Sequence, residues 1–256
     1  MDTLYLVIPA YNEEETISAV ACAWHSIVDE IGGESRIVIV NDGSRDHTGE
    51  VLEQLQKKLP RLVPLSKENG GHGATIAFGY RYAMEHGADY VFQTDSDGQT
   101  VPEEFWPFWE ARNTYDYQIG HRKRRQDGFA RVVVTRVLRL VLLGVFGVWI
   151  PDANTPFRLM SGKSLEKLLP LLPKNHNLTN VLLSVLYQAS GCPGRFLPIT
   201  FLPRQGGVNS INLRRIAGIG WTAVWDFCRF RPTLHTLRTK KCKATAVDKA
   251  GEPHGN

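Results

Sequence analysis

The chain has 256 residues, a net charge of +4 and a pI near 8.9; it is long enough to bury a substantial core as one domain with an appendage. No apolar stretch reaches the roughly 20 residues that a bilayer-spanning helix needs, which excludes a helical span. The four cysteines have neither paired spacing nor histidine partners at zinc-ligand intervals, which excludes a disulfide scaffold and a structural zinc site and suits a reducing compartment.

Met1-Asp2-Thr3 runs straight into Leu4-Tyr5-Leu6-Val7-Ile8, an unbroken apolar run closed by Pro9. Such a run is expected of a strand buried on both faces. No basic region or cleavable apolar segment precedes it, so the expected location is cytoplasmic. Helical spacing follows over Glu13 to Ile31, with Ile17, Val20, Trp24, Ile27 and Val28 on one side and Gly32-Gly33 as the stop. Arg36 to Val40 is a second strand, halted by Asn41-Asp42-Gly43-Ser44. A helix from about Asp46 ends at Pro60, and Leu62 to Leu65 is a third strand. Asn69-Gly70-Gly71-His72-Gly73 leads into a helix over Ala74 to His86, and Tyr90 to Gln93 is a fourth strand. Strand and helix alternating across short loops predict βαβ units on a parallel sheet.

Beyond residue 100 the alternation loosens. A short aromatic-rich helix is expected over Pro102 to Arg112, a strand over Tyr115 to Gly120, and a helix over Phe129 to Val148. Two further helices are expected near Ser161 to Leu169 and Leu178 to Ser190. A strand over Gly194 to Leu202 precedes the loop Pro203-Arg204-Gln205-Gly206-Gly207. The expected division is a domain over 1–231, comprising a nucleotide-binding half (1–100), an acceptor half (101–210) and a C-terminal amphipathic helix (211–231). A basic, polar tail over 232–256 is expected to be disordered.

Three loops leave the first, second and fourth strands at what a parallel sheet makes one edge: Pro9-Ala10-Tyr11-Asn12-Glu13, Asn41-Asp42-Gly43-Ser44 and Asp95-Ser96-Asp97-Gly98-Gln99. Ligands of open α/β sheets bind at the carboxyl ends of the strands. Two carboxylates at i, i+2 in such a loop suit a hard divalent cation that takes its other ligands from water and substrate phosphates; a plain polar turn is the alternative. Neither a Walker loop nor a GxGxxG fingerprint is present. The glycines of Asn69–Gly73 would let backbone N–H groups approach an anionic ligand, and a simple helix lead-in would look the same.

These loops, with Arg45-Asp46-His47-Thr48 after the second and Asn69-x-Gly71-x-Gly73-Ala74 between the third and fourth strands, closely resemble family 2 glycosyltransferases, whose fold is GT-A: α/β, a mostly parallel twisted sheet flanked by helices. The four motifs cover residues 4 to 100. The later part, through about Arg204, resembles the branch of dolichol-phosphate mannose synthases and bacterial polyprenyl-phosphate glycosyltransferases. The resemblance implies a nucleotide-sugar donor, UDP- or GDP-linked, with Pro9, Tyr11 and Glu13 lining the nucleoside pocket and Asp42 bonding the base. Asn69, Gly71 and Ser96 belong to the same donor site. It implies Mg²⁺ or Mn²⁺ on the diphosphate, held by Asp97 with Asp95 beside it and Gln99 as a helper. It also implies direct displacement with inversion at the anomeric carbon.

The acceptor is expected from the second half. Arg122, Lys123, Arg124, Arg125, Arg131, Arg136 and Arg139 crowd residues 122–139, and such a cluster awaits an anion. On a helix Arg131, Thr135 and Arg139 share a face. By resemblance, Arg122, Arg131, Thr135 and Arg136 would grip an acceptor phosphate, with an isoprenoid chain along the apolar remainder. A solvated charged face beside ordinary core would have the same composition. Asp152-Ala153-Asn154-Thr155-Pro156-Phe157-Arg158 occupies the family's Asp-x-x-x-Gly-Phe-Arg place, with Pro156 for the glycine. Asp152 would orient the acceptor or, for a hydroxyl acceptor, deprotonate it. Arg204, in the late Arg-x-x-Gly-x-Ser loop, would close over the diphosphate. The expected partners are therefore a nucleotide sugar and a polyprenyl phosphate, or a saccharide hydroxyl in surface-polysaccharide assembly. A catalytically silent binding protein is the alternative of another class. Trp221, Trp225, Phe227 and Phe230 among Arg229 and Arg231 suit peripheral contact with the cytoplasmic face of a membrane or a helix packed on the body. Nucleic acid is not expected, because the cations adjoin apolar helix rather than stacking aromatics on a sheet. Nothing in the chain specifies an oligomeric state.

Overall fold

The computed structural model describes residues 1–122, 129–173, 176–203 and 224–237, with backbone alone at 129–133. Seven strands form one sheet in the order β3-β2-β1-β4-β6-β5-β7: β1 (Leu4–Ala10), β2 (Arg36–Asn41), β3 (Leu62–Ser66), β4 (Tyr90–Gln93), β5 (Tyr117–Arg122), β6 (Arg158–Ser161) and β7 (Gly194–Ile199). Strands β1 to β4 pair in parallel, β6 is antiparallel to β4 and to β5, and β7 is parallel to β5. Both edge strands contain a proline, Pro64 in β3 and Pro198 in β7. Proline lacks a ladder N–H, so edges tolerate it, and Pro9 in central β1 lies past Val7, the last residue that pairs with β4.

Helices α1 (Ile17–Ile31), α2 (Thr48–Gln56), α3 (His72–Glu85), α4 (Trp106–Glu110), α5 (Phe129–Phe146), α6 (Gly162–Leu168) and α7 (Thr179–Ser190) connect the strands. An eighth, α8, spans 224–237. Side-chain alternation along the central strands divides the core into two layers. Leu4, Leu6 and Ile8 of β1 with Ile37 and Ile39 of β2 pack on α1 and α2; Tyr5, Val7, Val38 and Val40 face α3 and α7. Phe92 anchors the first layer, its ring meeting Phe157 at 4.7 Å, Phe105 at 4.9 Å and Trp24 at 5.4 Å. Aromatic pairs at such centroid separations add packing energy beyond their buried area. Here they also hold the chain just before β6 against the sheet. Gly79 lets α3 lie directly on β1, because a Cβ there would strike Val7.

Two features differ from the sequence expectation. β6 was not anticipated: its four residues open with an arginine and show no apolar alternation, and strand pairing on both sides defines it. The C-terminal helix runs to 237, past the expected end at 231, because Phe227, Phe230 and Leu234 are all buried against the body. The first part of that expected helix, over 211–223, and the tail beyond 237 lie outside the described residues.

Candidate active site

Strand direction places every candidate loop at one edge of the sheet. β1, β2 and β4 end there. Because β6 runs against both β4 and β5, β5 also ends there with Arg122, and the loop carrying Asp152 enters β6 from the same edge.

A cavity of about 380 Å³ opens at this edge, lined by Pro9, Tyr11, Glu13, Asp42, Asn69, Gly71, Asp95, Ser96 and Asp97, with Ala10, His72 and Thr75. All the donor-site residues expected from sequence except Gln99 therefore line one space. Its walls are stitched together from different loops. The Glu13 N–H donates to Thr48 Oγ1 at 2.9 Å. Thr16 Oγ1 lies 2.9 Å from Glu13 Oε2 and 3.0 Å from the Ser96 carbonyl, which ties the first loop to the acidic loop. The Arg45 N–H donates to Asn12 Oδ1 at 2.8 Å, and the Asn12 N–H to Ser44 Oγ at 3.0 Å. Asn12 adopts φ 54°, a left-handed conformation that asparagine tolerates better than most residues.

Asp42 is 3 % exposed and organises the loop across from it. Its Oδ1 accepts from the Lys67 ammonium and from the Gly70 N–H at 2.9 Å, its Oδ2 accepts from the Gly71 N–H at 2.9 Å, and its backbone carbonyl accepts from Asn69 Nδ2 at 2.9 Å. Burial works to raise its carboxyl pKa, but Lys67, Gly70 and Thr75 together overcome this and hold it below the usual carboxylate value. Gly71 has φ +85°, and a Cβ there would sit 2.6 Å from Asn177 Oδ1; a Cβ on Gly73 would strike the His176 carbonyl. Glycine at both positions lets α3 begin against the segment that precedes α7, and Thr179 Oγ1 donates to the Gly73 carbonyl at 2.9 Å.

The acidic loop is fixed from below. Gln99 is 5 % exposed; its N–H donates to Asp97 Oδ1 at 3.2 Å, and its side chain donates to the Leu202 carbonyl at 2.7 Å. Gln99 thus ties the Asp97 loop to the chain leading into Arg204, which itself lies outside the described residues. Asp95 Oδ1 is buried without a hydrogen-bond partner, 3.7 Å from His72 Nε2. A buried unpaired carboxylate oxygen is costly unless a ligand completes it, so this atom fits a cation or a donor group. No cluster of three or more acidic, histidine or cysteine side chains suited to a metal occurs among the described residues. Two carboxylates suit an ion that draws its remaining ligands from phosphate and water.

The same sheet edge carries a second constellation. Arg122 Nε and Nη2 donate to Asp152 Oδ2 and Oδ1 at 2.8 and 2.9 Å, while the guanidinium sits 4.9 Å above the Phe201 ring. On α5, Arg139 Nη2 donates to the Pro151 carbonyl at 2.5 Å and its Nε is buried without a partner. That face of α5 therefore looks onto the Asp152 loop, and helical spacing puts Thr135 on it. Arg136 is exposed, and the side chain of Arg131 lies outside the described residues. Arg158, wholly buried, holds the loop from behind through the carbonyls of Ala153, Thr155 and Asn180.

Sequence reasoning missed Lys67, His72 and Thr75 as cavity or Asp42 partners. Lys67 carried a usable signal, since it follows the third strand at the same edge. A larger depression of about 640 Å³ opens near the start of β4, but two of its carboxylates are engaged: Asp89 accepts from the Thr3 N–H and Asp116 from the Ser161 hydroxyl.

The family model described as glycosyl transferase family 2 matches residues 5–169. Among curated proteins, a UDP-N-acetylglucosamine–dolichyl-phosphate N-acetylglucosaminyltransferase of Methanococcus voltae is 25 % identical, with 64 % of this chain and 72 % of the relative aligned. An undecaprenyl-phosphate 4-deoxy-4-formamido-L-arabinose transferase of Edwardsiella ictaluri is 30 % identical over 64 % of this chain, which spans half of that relative's length. A polyprenol monophosphomannose synthase of Mycolicibacterium smegmatis is 26 % identical over 81 % of this chain and 80 % of its own. Among solved structures, glucosyl-3-phosphoglycerate synthase from Mycobacterium tuberculosis in complex with Mn²⁺, UDP and phosphoglyceric acid superposes with a TM-score of 0.61 at 17 % identity, covering 89 % of this chain and 78 % of that one. Staphylococcus aureus TarS 1–349 with UDP-GlcNAc gives 0.58 at 15 % identity over 83 % of this chain and 62 % of that one.

Proposed function

The chain belongs to glycosyltransferase family 2, and we propose that it moves a sugar from a nucleoside-diphosphate donor to the phosphate of a polyprenyl phosphate. The observation that carries this reading is the meeting, at one sheet edge, of the acidic donor cavity with a cationic patch that borders an apolar helix. Two of the named relatives carry dolichyl phosphate and undecaprenyl phosphate in their names and the third is a synthase of polyprenol monophosphomannose, which supports the same acceptor class here.

In the proposed mechanism the donor diphosphate enters the cavity beside Asp95 and Asp97, with the nucleoside between Tyr11 and the Asp42 loop. Asp95 and Asp97 would hold a divalent cation, Mg²⁺ or Mn²⁺, which when bound neutralises charge growing on the leaving diphosphate. Arg204 would close over the same diphosphate. Arg122, Arg131, Thr135 and Arg139, the last in place of the exposed Arg136, would hold the acceptor phosphate, its apolar chain following α5. One phosphate oxygen bonds to the anomeric carbon as the carbon–oxygen bond to the diphosphate breaks, and that electron pair leaves with the nucleoside diphosphate. The displacement inverts the anomeric centre. An ionised phosphate needs no base.

That last point weighs against a saccharide hydroxyl acceptor. Both oxygens of Asp152 accept from Arg122, which suits a residue that orients cations better than one that takes a proton. A peripheral position at the cytoplasmic face of a membrane is part of this proposal, because the proposed acceptor is a membrane lipid; no helix among the described residues is long and apolar enough to cross a membrane.

The test is transfer of radiolabelled sugar from UDP- and GDP-sugars with Mn²⁺. Label entering an organic-extractable product only when polyprenyl phosphate is present is the expected result. Label entering an oligosaccharide instead would overturn the acceptor assignment.

A further inference from the structure

The solvent side of α5 is apolar where an ordinary surface helix is polar. Val137, Leu140 and Leu143 are 53, 63 and 44 % exposed, and with Gly144 and Gly147 they form one stripe at helical spacing. Trp149, just beyond the helix, is 54 % exposed. Helix α8 packs against α5 through Phe227 and Phe230, whose rings lie 5.6 and 6.4 Å from that of Phe146, and it carries Trp225 at 58 % exposure. Most of the large apolar side chains that the described residues leave exposed therefore fall on these two helices and the turn after α5.

Cations accompany them. Arg139 lies 5.0 Å above the Trp149 ring and Arg229 5.4 Å from the Trp225 ring. Arg136 is exposed on α5, and Arg231 borders, with Leu143 and Gly147, a crease of about 280 Å³ between the helices. Tryptophan beside arginine is the pairing that sits at a lipid headgroup boundary, with the ring toward hydrocarbon and the cation toward phosphate. α5 has 18 residues, and a helix with one apolar stripe edged by arginine lies in an interface rather than across it.

We propose that this ridge, Val137, Leu140, Leu143 and Trp149 on α5 with Trp225 on α8, docks the protein on an anionic bilayer surface. Charge complementarity selects a bilayer over a second copy of the chain. Arg136, Arg229 and Arg231 flank the ridge, and two identical basic faces would repel, whereas anionic headgroups attract each cation. The sequence after 237 adds Arg238, Lys240, Lys241 and Lys243. The inference deepens the acceptor reading. The Arg139 face of α5 looks onto the Asp152 loop and the apolar stripe runs beside it, with Leu143 one turn beyond Arg139, so a lipid phosphate would enter along the helix without leaving the interface.

The test uses the full chain and vesicles of phosphatidylcholine, with or without about one third phosphatidylglycerol, lacking polyprenyl phosphate and donor. The expected result is co-sedimentation with the anionic vesicles, weakened by salt. A Leu140→Glu/Leu143→Glu variant should partition about tenfold or more weakly, and Phe78→Glu, on an exposed apolar side chain of α3, should match wild type. Cooperative unfolding confirms that each variant folds, and Leu140→Ser serves if the double variant does not. Absence of vesicle binding, equal partitioning of the ridge variant, or an equal loss in Phe78→Glu would overturn the proposal. So would a wild-type dimer that the ridge variant splits while vesicles are ignored. A chain that glycosylates detergent-dissolved polyprenyl phosphate yet ignores vesicles would overturn the docking face alone.

Discussion

Arg122 and Asp152, which stand 30 residues apart in sequence, face each other through two parallel hydrogen bonds of 2.8 and 2.9 Å at the same sheet edge as the donor cavity. Their side chains are 12 and 5 % exposed. The fork-to-fork geometry fixes the guanidinium plane.

Removing one partner of so enclosed a pair strands a charge. Arg122→Ala should destabilise the fold by about 3–5 kcal/mol, and Arg122→Ala/Asp152→Ala should recover a large part of that loss. Both variants should bind nucleoside diphosphate normally and lose acceptor saturation. Denaturant melts with acceptor titrations check this; an unchanged acceptor requirement in the double variant would detach the pair from the acceptor site.

Asp97→Ala and Asp95→Asn should leave a cooperative fold, because both residues are only half-buried and sit in a cavity wall. Transfer should fall by at least about a hundredfold, since leaving-group assistance by a cation is worth several kcal/mol. The Mn²⁺-dependent part of UDP or GDP binding should vanish with it. Calorimetric titration with and without Mn²⁺ separates this from a general loss of affinity.

β1, β2 and β4 are legible because a strand buried on both faces must be apolar throughout, and each ends in turn residues that carry chemistry. The acidic loop and the Asp42 loop were therefore readable as one edge. β6 was not: at Arg158–Ser161 the chain is a strand only through its two neighbours. For the same reason the Arg122–Asp152 pair could not be read, since nothing local to either residue announces the other. α5 was readable as a helix, but which face it turns to solvent depends on α8 and on the Asp152 loop.

The depressed carboxyl pKa of Asp42 makes a stability prediction with a definite sign. A carboxylate held below its ordinary value, 3.8, stabilises the folded state at neutral pH. That stabilisation is complete above the unfolded value and is lost as pH falls through the folded one. Asp42→Asn should thus be less stable than wild type at pH 7, with the difference shrinking below the ordinary carboxylate range. Urea melts across acid pH measure it, and a pH-independent difference would remove Lys67 and the Gly70–Gly71 N–H groups as the cause.

Gly73→Ala should be costly although alanine is the better helix former. The added Cβ meets the His176 backbone carbonyl, an atom that cannot swing aside as a side-chain tip can. Overpacking of this kind costs about 1–3 kcal/mol. The strain falls where α3 opens beside Asp42 and Asp95, so nucleotide affinity should drop along with thermal stability. Gly87→Ala is the control: nothing lies within 4 Å of a Cβ there, so its cost is confined to the backbone, φ +78°, and nucleotide affinity should stay put.

Arg158 is the most informative single position. It is fully buried, and its hydrogen bonds go to the carbonyls of Thr155, Ala153 and Asn180 and the Ser184 hydroxyl, all neutral. Burial lowers its pKa, with Tyr80, Asp152, Tyr187 and Asp95 acting in the opposite direction. A planar fork of five donors can hold three carbonyls from two segments at once, whereas an ammonium on a flexible stem cannot. Arg158→Lys should therefore lose about 2–4 kcal/mol despite keeping the charge, because buried carbonyls are left unpaired. The loop it holds carries Asp152, and Arg122 follows Asp152. Transfer should accordingly fall more steeply than UDP or GDP affinity, with the loss concentrated in the acceptor requirement. Equal losses in donor and acceptor binding would reduce Arg158 to a general core residue; an unchanged acceptor requirement would break the chain of contacts from Arg158 through Asp152 to Arg122.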